Sequence, residues 1–339
     1  MLHYVKKPKP LPRPVAVLGV SHRDFGLARI WMTWAVFLAR QEGGMCAGDH
    51  LVIFTSRRVT DAQREKLRQI AQWSAEFFEL TVTTCPDECE DGYPRSASHL
   101  FERSLEFCER EFPGRSVLWI EPDAIPTKPG WFDQIADEYV TLGKPFMGVY
   151  VEKSSPHMSG NAVYPHNWRK LAPAIVDSVT APGPKTGPSA GMMGQPWDIW
   201  AGPQIIPQMS RCTSIQHVWR PPVFDEKNLL TILKPETALF HQNKDSTFMN
   251  TLAKLKYPRF LAESVSPSAY FAVLGSQHQF RLGHVTISFK PCALGPGGSA
   301  WGVYRPKSLF EEYLLTDHEG RFGIKRVPQE EYNALLAQA

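Results

Sequence analysis

No run of eighteen or more apolar residues occurs in the 339-residue chain, which removes the usual signature of a membrane-spanning helix. The first fourteen residues, MLHYVKKPKPLPRP, lack the apolar stretch of a secretory signal and read as a basic, proline-rich extended arm. Cysteine is sparse: Cys46, Cys85, Cys89, Cys108, Cys212 and Cys292 include no CxxC, and Cys85 with Cys89 forms a lone CxxxC. This spacing fits free thiols in a reducing compartment, with Cys85 and Cys89 as two half-buried thiols rather than half of a zinc site. Neither GxGxxG nor GxxxxGK[ST] is present, so dinucleotide-binding and P-loop readings lose their main support. Charge of one sign is not in excess either. A net charge of +3 does not establish the strongly basic face of a protein that coats nucleic acid.

What is present is an ordinary globular composition, 43% hydrophobic and 21% charged, in a chain long enough for one large domain or two smaller ones. Aromatics are plentiful, with ten Trp, and suit either core filling or the stacking of sugars and bases. VAVLGV at Val15–Val20 and Leu51–Thr55 read as buried strands, and Ser116–Ile120 as a third. Helical spacing follows over Ala28–Gln41, over Asp61 to about Leu80 behind a Thr60-Asp61 cap, and over Ser96–Glu111. Strands alternating with helices predict an α/β fold, an open, mostly parallel sheet with helices on both faces. Ligands of such sheets bind at the carboxyl ends of the strands, where Ser21-His22, Ser56-Arg57 and Glu121-Asp123 would collect. The Pro/Gly-rich segment Ala181–Gly194 reads as a mobile lid, and Pro258–Ala339 as a small α+β appendage. The expected division is an arm at 1–14, a catalytic domain at 15–257 and the appendage at 258–339.

Several segments carry chemistry. Glu121-Pro122-Asp123 sets two carboxylates at i and i+2 just past an apolar strand, and hard oxygen ligands of this kind suit Mg²⁺ or Mn²⁺. Solvated loop acids are the plain alternative. Pro196-Trp197-Asp198-Ile199-Trp200 places an acid between two tryptophans. Asp198 can serve there as a general base whose pKa is raised by apolar walls, with Trp197 and Trp200 walling an acceptor. The alternative is a capping Asp between core tryptophans. His157–Tyr164 (HMSGNAVY) contains Gly160, which permits close backbone approach, and Asn161, which offers both a donor and an acceptor. LFHQNKD brings His241 and Lys244 after an apolar run.

The segment VLWIEPDAIPTKPGWFDQIADEY, followed by SGNAVY and then LFHQNKDS, resembles the DxD region and later elements of GT-A glycosyltransferases, with Glu in place of the first Asp. The likeness spans roughly Val15 to Asn250. It implies a GT-A-like fold, a nucleotide-sugar donor and a Mn²⁺ or Mg²⁺ cofactor. By the same resemblance, Asp123 is the main metal ligand, Glu121 an auxiliary one and His241 a late ligand. Lys244 would touch the diphosphate and Gly160-Asn161 the donor sugar. Ser21, His22, Ser56 and Arg57 would lie where the donor's base and ribose sit.

Sugar transfer to a hydroxyl is therefore the leading expectation. The acceptor is open between a glycan or small molecule and a hydroxymethylated pyrimidine in DNA, as in bacteriophage DNA-modifying glycosyltransferases. The DNA reading would use Lys6, Lys7, Lys9 and Arg13 on the arm, with Lys325 and Arg326, as phosphate contacts. It implies a cytoplasmic protein of a bacterial or phage-infected cell. Nucleotidyl transfer and a non-enzymatic carbohydrate- or nucleic-acid-binding module are the alternatives. The module reading predicts that Glu121, Asp123 and His241 do not meet.

Overall fold

The structure is a computed structural model that describes residues 12–40, 49–72, 79–89, 92–152, 155–179, 195–219, 224–241, 247–257, 270–274, 278–282, 285–292, 301–306, 315 and 323–337. In chain order come β1 (Val15–Val20), α1 (Phe25–Arg40), β2 (His50–Thr55), α2 (Asp61–Gln72), β3 (Glu79–Thr84), α3 (Arg95–Glu111) and β4 (Val117–Ile120). Then follow β5 (Ala124–Pro126), α4 (Trp131–Leu142), β6 (Phe146–Val151), β7 (His157–Tyr164), and the short helices α5 (Trp168–Leu171), α6 (Ala174–Asp177), α7 (Trp197–Trp200) and α8 (Gly202–Ile205). After them come β8 (Met209–Arg211), β9 (Ile215–His217), α9 (Glu226–Ile232), β10 (Leu239–His241) and α10 (Thr247–Lys256). The last stretch holds β11 (Tyr270–Leu274), β12 (Gln279–Leu282), β13 (Val285–Ser288), β14 (Lys290–Cys292), β15 (Trp301–Tyr304), β16 (Ile324–Val327) and α11 (Gln329–Leu336). Among the described residues, no helix is long and apolar enough to cross a membrane.

The chain divides into two compact units, Met1–Pro221 with Leu233–Gln242, and Pro222–Ile232 with Asn243–Ala339. The division does not fall at 257/258. Helices α9 and α10 belong together in the second unit, joined by an edge-on contact of Phe224 with Phe248 and an ion pair of Lys254 with Glu226.

The first unit is built on a seven-stranded sheet of order β3-β2-β1-β4-β7-β6-β8. Strands β3, β2, β1 and β4 run parallel, β7 is antiparallel to both of its neighbours, and β8 runs parallel to β6. The open, mostly parallel α/β sheet expected from the sequence is present. Unbroken apolar runs such as VAVLGV suit strands covered on both faces, and all six residues of β1 are buried. Val15, Val17, Val117 and Trp119 share a core with Phe101, Leu105 and Cys108 of α3. Their neighbours Ala16, Leu18, Leu118 and Ile120 point to the opposite face and are just as buried. Helix α1 packs on β1 and is tied down by two tryptophans: Trp31 and Trp34 donate their indole N–H to the carbonyls of Ala124 and Pro126, each at 2.6 Å.

Two local expectations change. The helix expected to reach Leu80 is described over Asp61–Gln72, and Glu79–Thr84 is instead the edge strand β3. Its sequence, ELTVTT, is β-branched, and pairing along β2 outweighs whatever helical pattern the segment carries. Arg13, assigned to a phosphate-contacting arm, is engaged by acidic side chains of its own chain: its guanidinium bonds both oxygens of Asp49 at 3.1 and 3.0 Å and Asp133 at 2.5 Å. Residues 1–11, with Lys6, Lys7 and Lys9, and the lid segment at 181–194 lie outside the described residues.

A second, three-stranded sheet of the first unit, β5-β10-β9, matters most for the site. In the second unit, β14-β15-β11-β16 form a four-stranded sheet and β12 with β13 a hairpin, with α11 packed on β11 and β15. This is the small α+β character expected of the appendage. There Lys325 pairs with Glu331 at 2.8 Å and lies over Trp301, and Arg326 lies over Phe271.

Candidate metal centre

Strand β4 ends at Ile120, and the next four residues make a reverse turn closed by Ala124 N–H donating to Glu121 O at 2.8 Å. Proline suits the second position of such a turn, because its fixed φ matches the backbone needed there. Pro122 holds that position, so Glu121 and Asp123 flank a preset bend. The chain leaves the turn as β5, which pairs antiparallel with β10, and the register sets His241 opposite Ala124. Leu239 and Phe240 are fully buried and anchor β10, so its third residue is delivered beside the acidic turn.

The result is a compact ligand set. His241 Nε2 lies 3.2 Å from Glu121 Oε2 and 3.3 Å from Asp123 Oδ1, and the three ligand atoms all fall within 4.8 Å of one another. Ligands bound at about 2.1 Å to an octahedral Mg²⁺ are separated by about 3 Å when adjacent and about 4.2 Å when opposite. The donor set therefore has the dimensions of adjacent positions around a small hard cation, and two carboxylates match its charge. Exposure rises across the set, from 5% for the Asp123 side chain to 32% for Glu121, so the set opens to solvent on the Glu121 side. Burial alone would lower the His241 pKa. Asp123 and Glu121 beside it outweigh that and raise it to about 9, a measure of the negative field at this point.

Neighbours fix the ligands. Asn161 on β7 is fully buried and turns its whole amide to Glu121: Oδ1 accepts from the Glu121 backbone N–H at 2.7 Å, and Nδ2 donates to Oε2 at 3.1 Å. His217 ends β9, directly across from His241 in the parallel β9–β10 pair, and the two Nδ1 atoms are 2.7 Å apart. When His241 carries its proton on Nδ1 and donates to His217, its Nε2 lone pair faces the two carboxylates, as a metal ligand requires. Ser159 Oγ lies 3.4 Å from the same His217 nitrogen.

The other residues singled out from the sequence are distributed as follows. Ser21 and Ser56 stand at the carboxyl ends of β1 and β2, on the same sheet edge as Glu121, with Ser56 N–H donating to Val20 O at 2.9 Å. Ser21 Oγ donates to Asp24 at 2.5 Å, His22 is exposed, and Arg57 Nη1 donates to Pro86 O at 3.4 Å. Gly160 is occupied from below: a Cβ there would meet Trp197 Cζ2 at 3.0 Å, so its small size admits the indole. Trp197 is a core residue, stacked on Phe101 with centroids 4.4 Å apart and donating to Tyr164 OH at 3.1 Å. Trp200 is half-buried. Asp198 lies 4.0 Å from His157 Nε2, and its pKa is pushed up to about 6, first by burial, against the attraction of His157 and with repulsion from Glu121. Lys244 lies outside the described residues.

His217, Ser159, His157 and Trp219 were not singled out from the sequence. Trp219 is 58% exposed, with its ring 6.2 Å from that of His217. The available signal for His217 was IQH, an apolar-x-His triplet that repeats the pattern of LFH at the end of a second short strand.

No protein-family model matches the chain, and no curated protein matches it in sequence. Solved structures do match. The galactosyltransferase LgtC, in complex with donor and acceptor sugar analogues, is 10% identical with a TM-score of 0.42, over 71% of this chain and 96% of that one. Mouse xyloside xylosyltransferase 1 in its apo form is 8% identical with a TM-score of 0.46, over 69% and 98%. The apo-form glycosyltransferase GlyE of Streptococcus pneumoniae TIGR4 is 11% identical with a TM-score of 0.41, over 69% and 55%. These are likenesses in the arrangement of elements, and the chemistry is read from the site itself.

Proposed function

We propose that this chain is a glycosyltransferase that moves a sugar from a nucleotide-activated donor to a hydroxyl acceptor, using Mn²⁺ or Mg²⁺ held by Glu121, Asp123 and His241. One observation carries the reading: two carboxylates and an imidazole, from segments more than a hundred residues apart, converge at the carboxyl edge of the sheet with cation-sized spacing. The binding-module alternative carries the opposite expectation, that these three side chains do not meet.

A bound divalent cation supplies charge neutralisation for a departing diphosphate. The remaining work belongs to the chain. Asn161 and the Glu121 backbone hold the auxiliary carboxylate in one orientation, and His217 orients His241. Ser21, His22, Ser56 and Arg57 border the edge where a nucleoside would lie, and Lys244 is assigned to the diphosphate. Asp198 takes the acceptor proton in an inverting reaction, and a pKa near 6 gives it more basicity than an ordinary carboxylate while leaving it ionised at neutral pH. For the acceptor platform, the exposed ring of Trp219 and the half-buried ring of Trp200 support the role better than the core residue Trp197.

The test is donor consumption with and without Mn²⁺, against a glycan panel, small-molecule alcohols and hydroxymethylated or unmodified DNA. Metal-dependent release of nucleoside diphosphate is the expected outcome, and the acceptor that accelerates it identifies the class. Release of pyrophosphate instead would establish nucleotidyl transfer. No turnover of any nucleotide sugar with any acceptor overturns the reading.

A further inference from the structure

A second group of ligand-type side chains lies outside the carboxylate centre, where β3 ends. Cys85 directly follows β3, Asp87 comes two residues later, and His99 projects from the second turn of α3. Cys85 Sγ is 3.6 Å from Asp87 Oδ1, His99 Nε2 is 3.4 Å from the same oxygen, and the three ligand atoms lie within 4.8 Å of one another. A tetrahedral zinc ion with sulfur at about 2.3 Å and nitrogen and oxygen at about 2.0 to 2.1 Å separates its S and O ligands by about 3.5 Å and its N and O ligands by about 3.3 Å. Both observed separations agree with these edges to about 0.1 Å. The carboxylate centre, by contrast, has no sulfur and suits a harder ion.

We propose that Cys85, Asp87 and His99 form a zinc site, separate from the carboxylate centre. The chemistry around the three ligands supports it. Arg103 holds Asp87 from the side, with Nη2 on Oδ2 at 2.8 Å and Nε at 3.1 Å from each oxygen, which orients the carboxylate while a lone pair of Oδ1 remains for a metal. Arg103 also pairs with Glu106 at 2.7 Å, a carboxylate it shares with Arg169. A thiolate and a carboxylate cancel the charge of Zn²⁺. The Cys85 thiol is buried, and zinc binding would replace its proton and release it to solvent. A water completes the tetrahedron.

Such a site ties the 85–89 loop to α3. The same loop is gripped from β2, by Arg57 on Pro86 O and by Arg58 on Glu88 Oε1 at 3.2 Å. Zinc would therefore stiffen the 85–89 loop where it borders the carboxyl ends of β2 and β3. The inference is independent of the sugar-transfer reading.

The experiment uses the full chain, stripped with chelator and titrated with Co²⁺ and Zn²⁺ alone. Cobalt should give a thiolate charge-transfer band and the intense visible bands of tetrahedral coordination, which the sulfur-free carboxylate centre cannot produce. Zinc should displace it, with a dissociation constant of micromolar or tighter and one proton released per ion. Cys85→Ser should abolish the thiolate band, and His99→Gln or Asp87→Asn should weaken zinc at least a hundredfold, whereas Cys212→Ser should change nothing. Absence of a thiolate band in the wild-type chain overturns the proposal. So does its persistence in Cys85→Ser, or unaltered zinc affinity in both His99→Gln and Asp87→Asn, which covers the case in which Cys85→Ser fails to fold.

Discussion

Asn161 binds Glu121 twice, through its carbonyl to the backbone N–H and through its amide N–H to the carboxylate, across forty residues of sequence. It thereby fixes the most exposed of the three candidate ligands. Replacing Asn161 by Ala should weaken Mn²⁺ binding about 10- to 100-fold, the usual effect of losing an outer partner of a metal ligand. It should also destabilise the fold by about 1–3 kcal/mol, because the Glu121 N–H loses its acceptor. Calorimetric Mn²⁺ titration and urea unfolding measure the two; unchanged metal affinity would assign Asn161 to stability alone.

Asp123 and Glu121 should separate in a metal-dependent thermal shift. A cation present at a hundred times its dissociation constant stabilises the folded state by about 2.7 kcal/mol. Wild type should show this gain with Mn²⁺, Glu121→Ala part of it and Asp123→Ala none, with transfer abolished in Asp123→Ala. Full turnover by Asp123→Ala in excess chelator would sink the metal-dependent model.

Asp198→Asn should slow the enzyme and yet stabilise it. Burial raises the folded-state pKa from 3.8 to about 6, so between these values the folded chain binds more protons than the unfolded one. Stability from this group therefore falls as pH rises from about 4 to about 6 and is level above that. The full shift corresponds to roughly 3 kcal/mol, and with 19% of the side chain exposed roughly 2 kcal/mol is the expected gain for Asn at pH 7, vanishing below pH 4. Denaturation at pH 7.5 and 4, together with kcat at fixed donor, tests both halves. An unchanged kcat would leave Asp198 a structural residue.

Gly19→Ala should be severe. The added Cβ would lie 2.0 Å from Trp119 Cη2, and that indole is buried between β4 and α3 with no room to withdraw. Overpacking of this kind costs typically 1–3 kcal/mol and here should reach or exceed the upper end. A melting temperature equal to that of wild type would contradict the packing described for this face.

Trp219→Ala should leave stability within about 0.5 kcal/mol of wild type, since the residue is largely exposed. Acceptor KM should rise about tenfold, with donor KM unchanged, if its ring is a stacking platform. A change confined to donor KM would move Trp219 to the nucleotide side.

Much of this was legible in the chain itself. VAVLGV, SVLWI and the acidic pair after SVLWI are local patterns, each complete within a few residues, and hydrophobic period and turn chemistry suffice to read them. They determine the parallel sheet, its carboxyl edge and the acidic turn. What tertiary structure decided is everything that depends on pairing across long separations. β9 and β10 are three-residue strands, too short to announce themselves, and only the register of β10 against β5 and of β9 against β10 brings His241 and His217 to the turn. The GT-A resemblance, with their chemistry, gives Asn161 and Gly160 a donor-sugar role. Their positions on β7 direct one amide to Glu121 and make room for the indole of Trp197. A side chain's polarity is written in the sequence, but the group that satisfies it is chosen by which strands lie side by side.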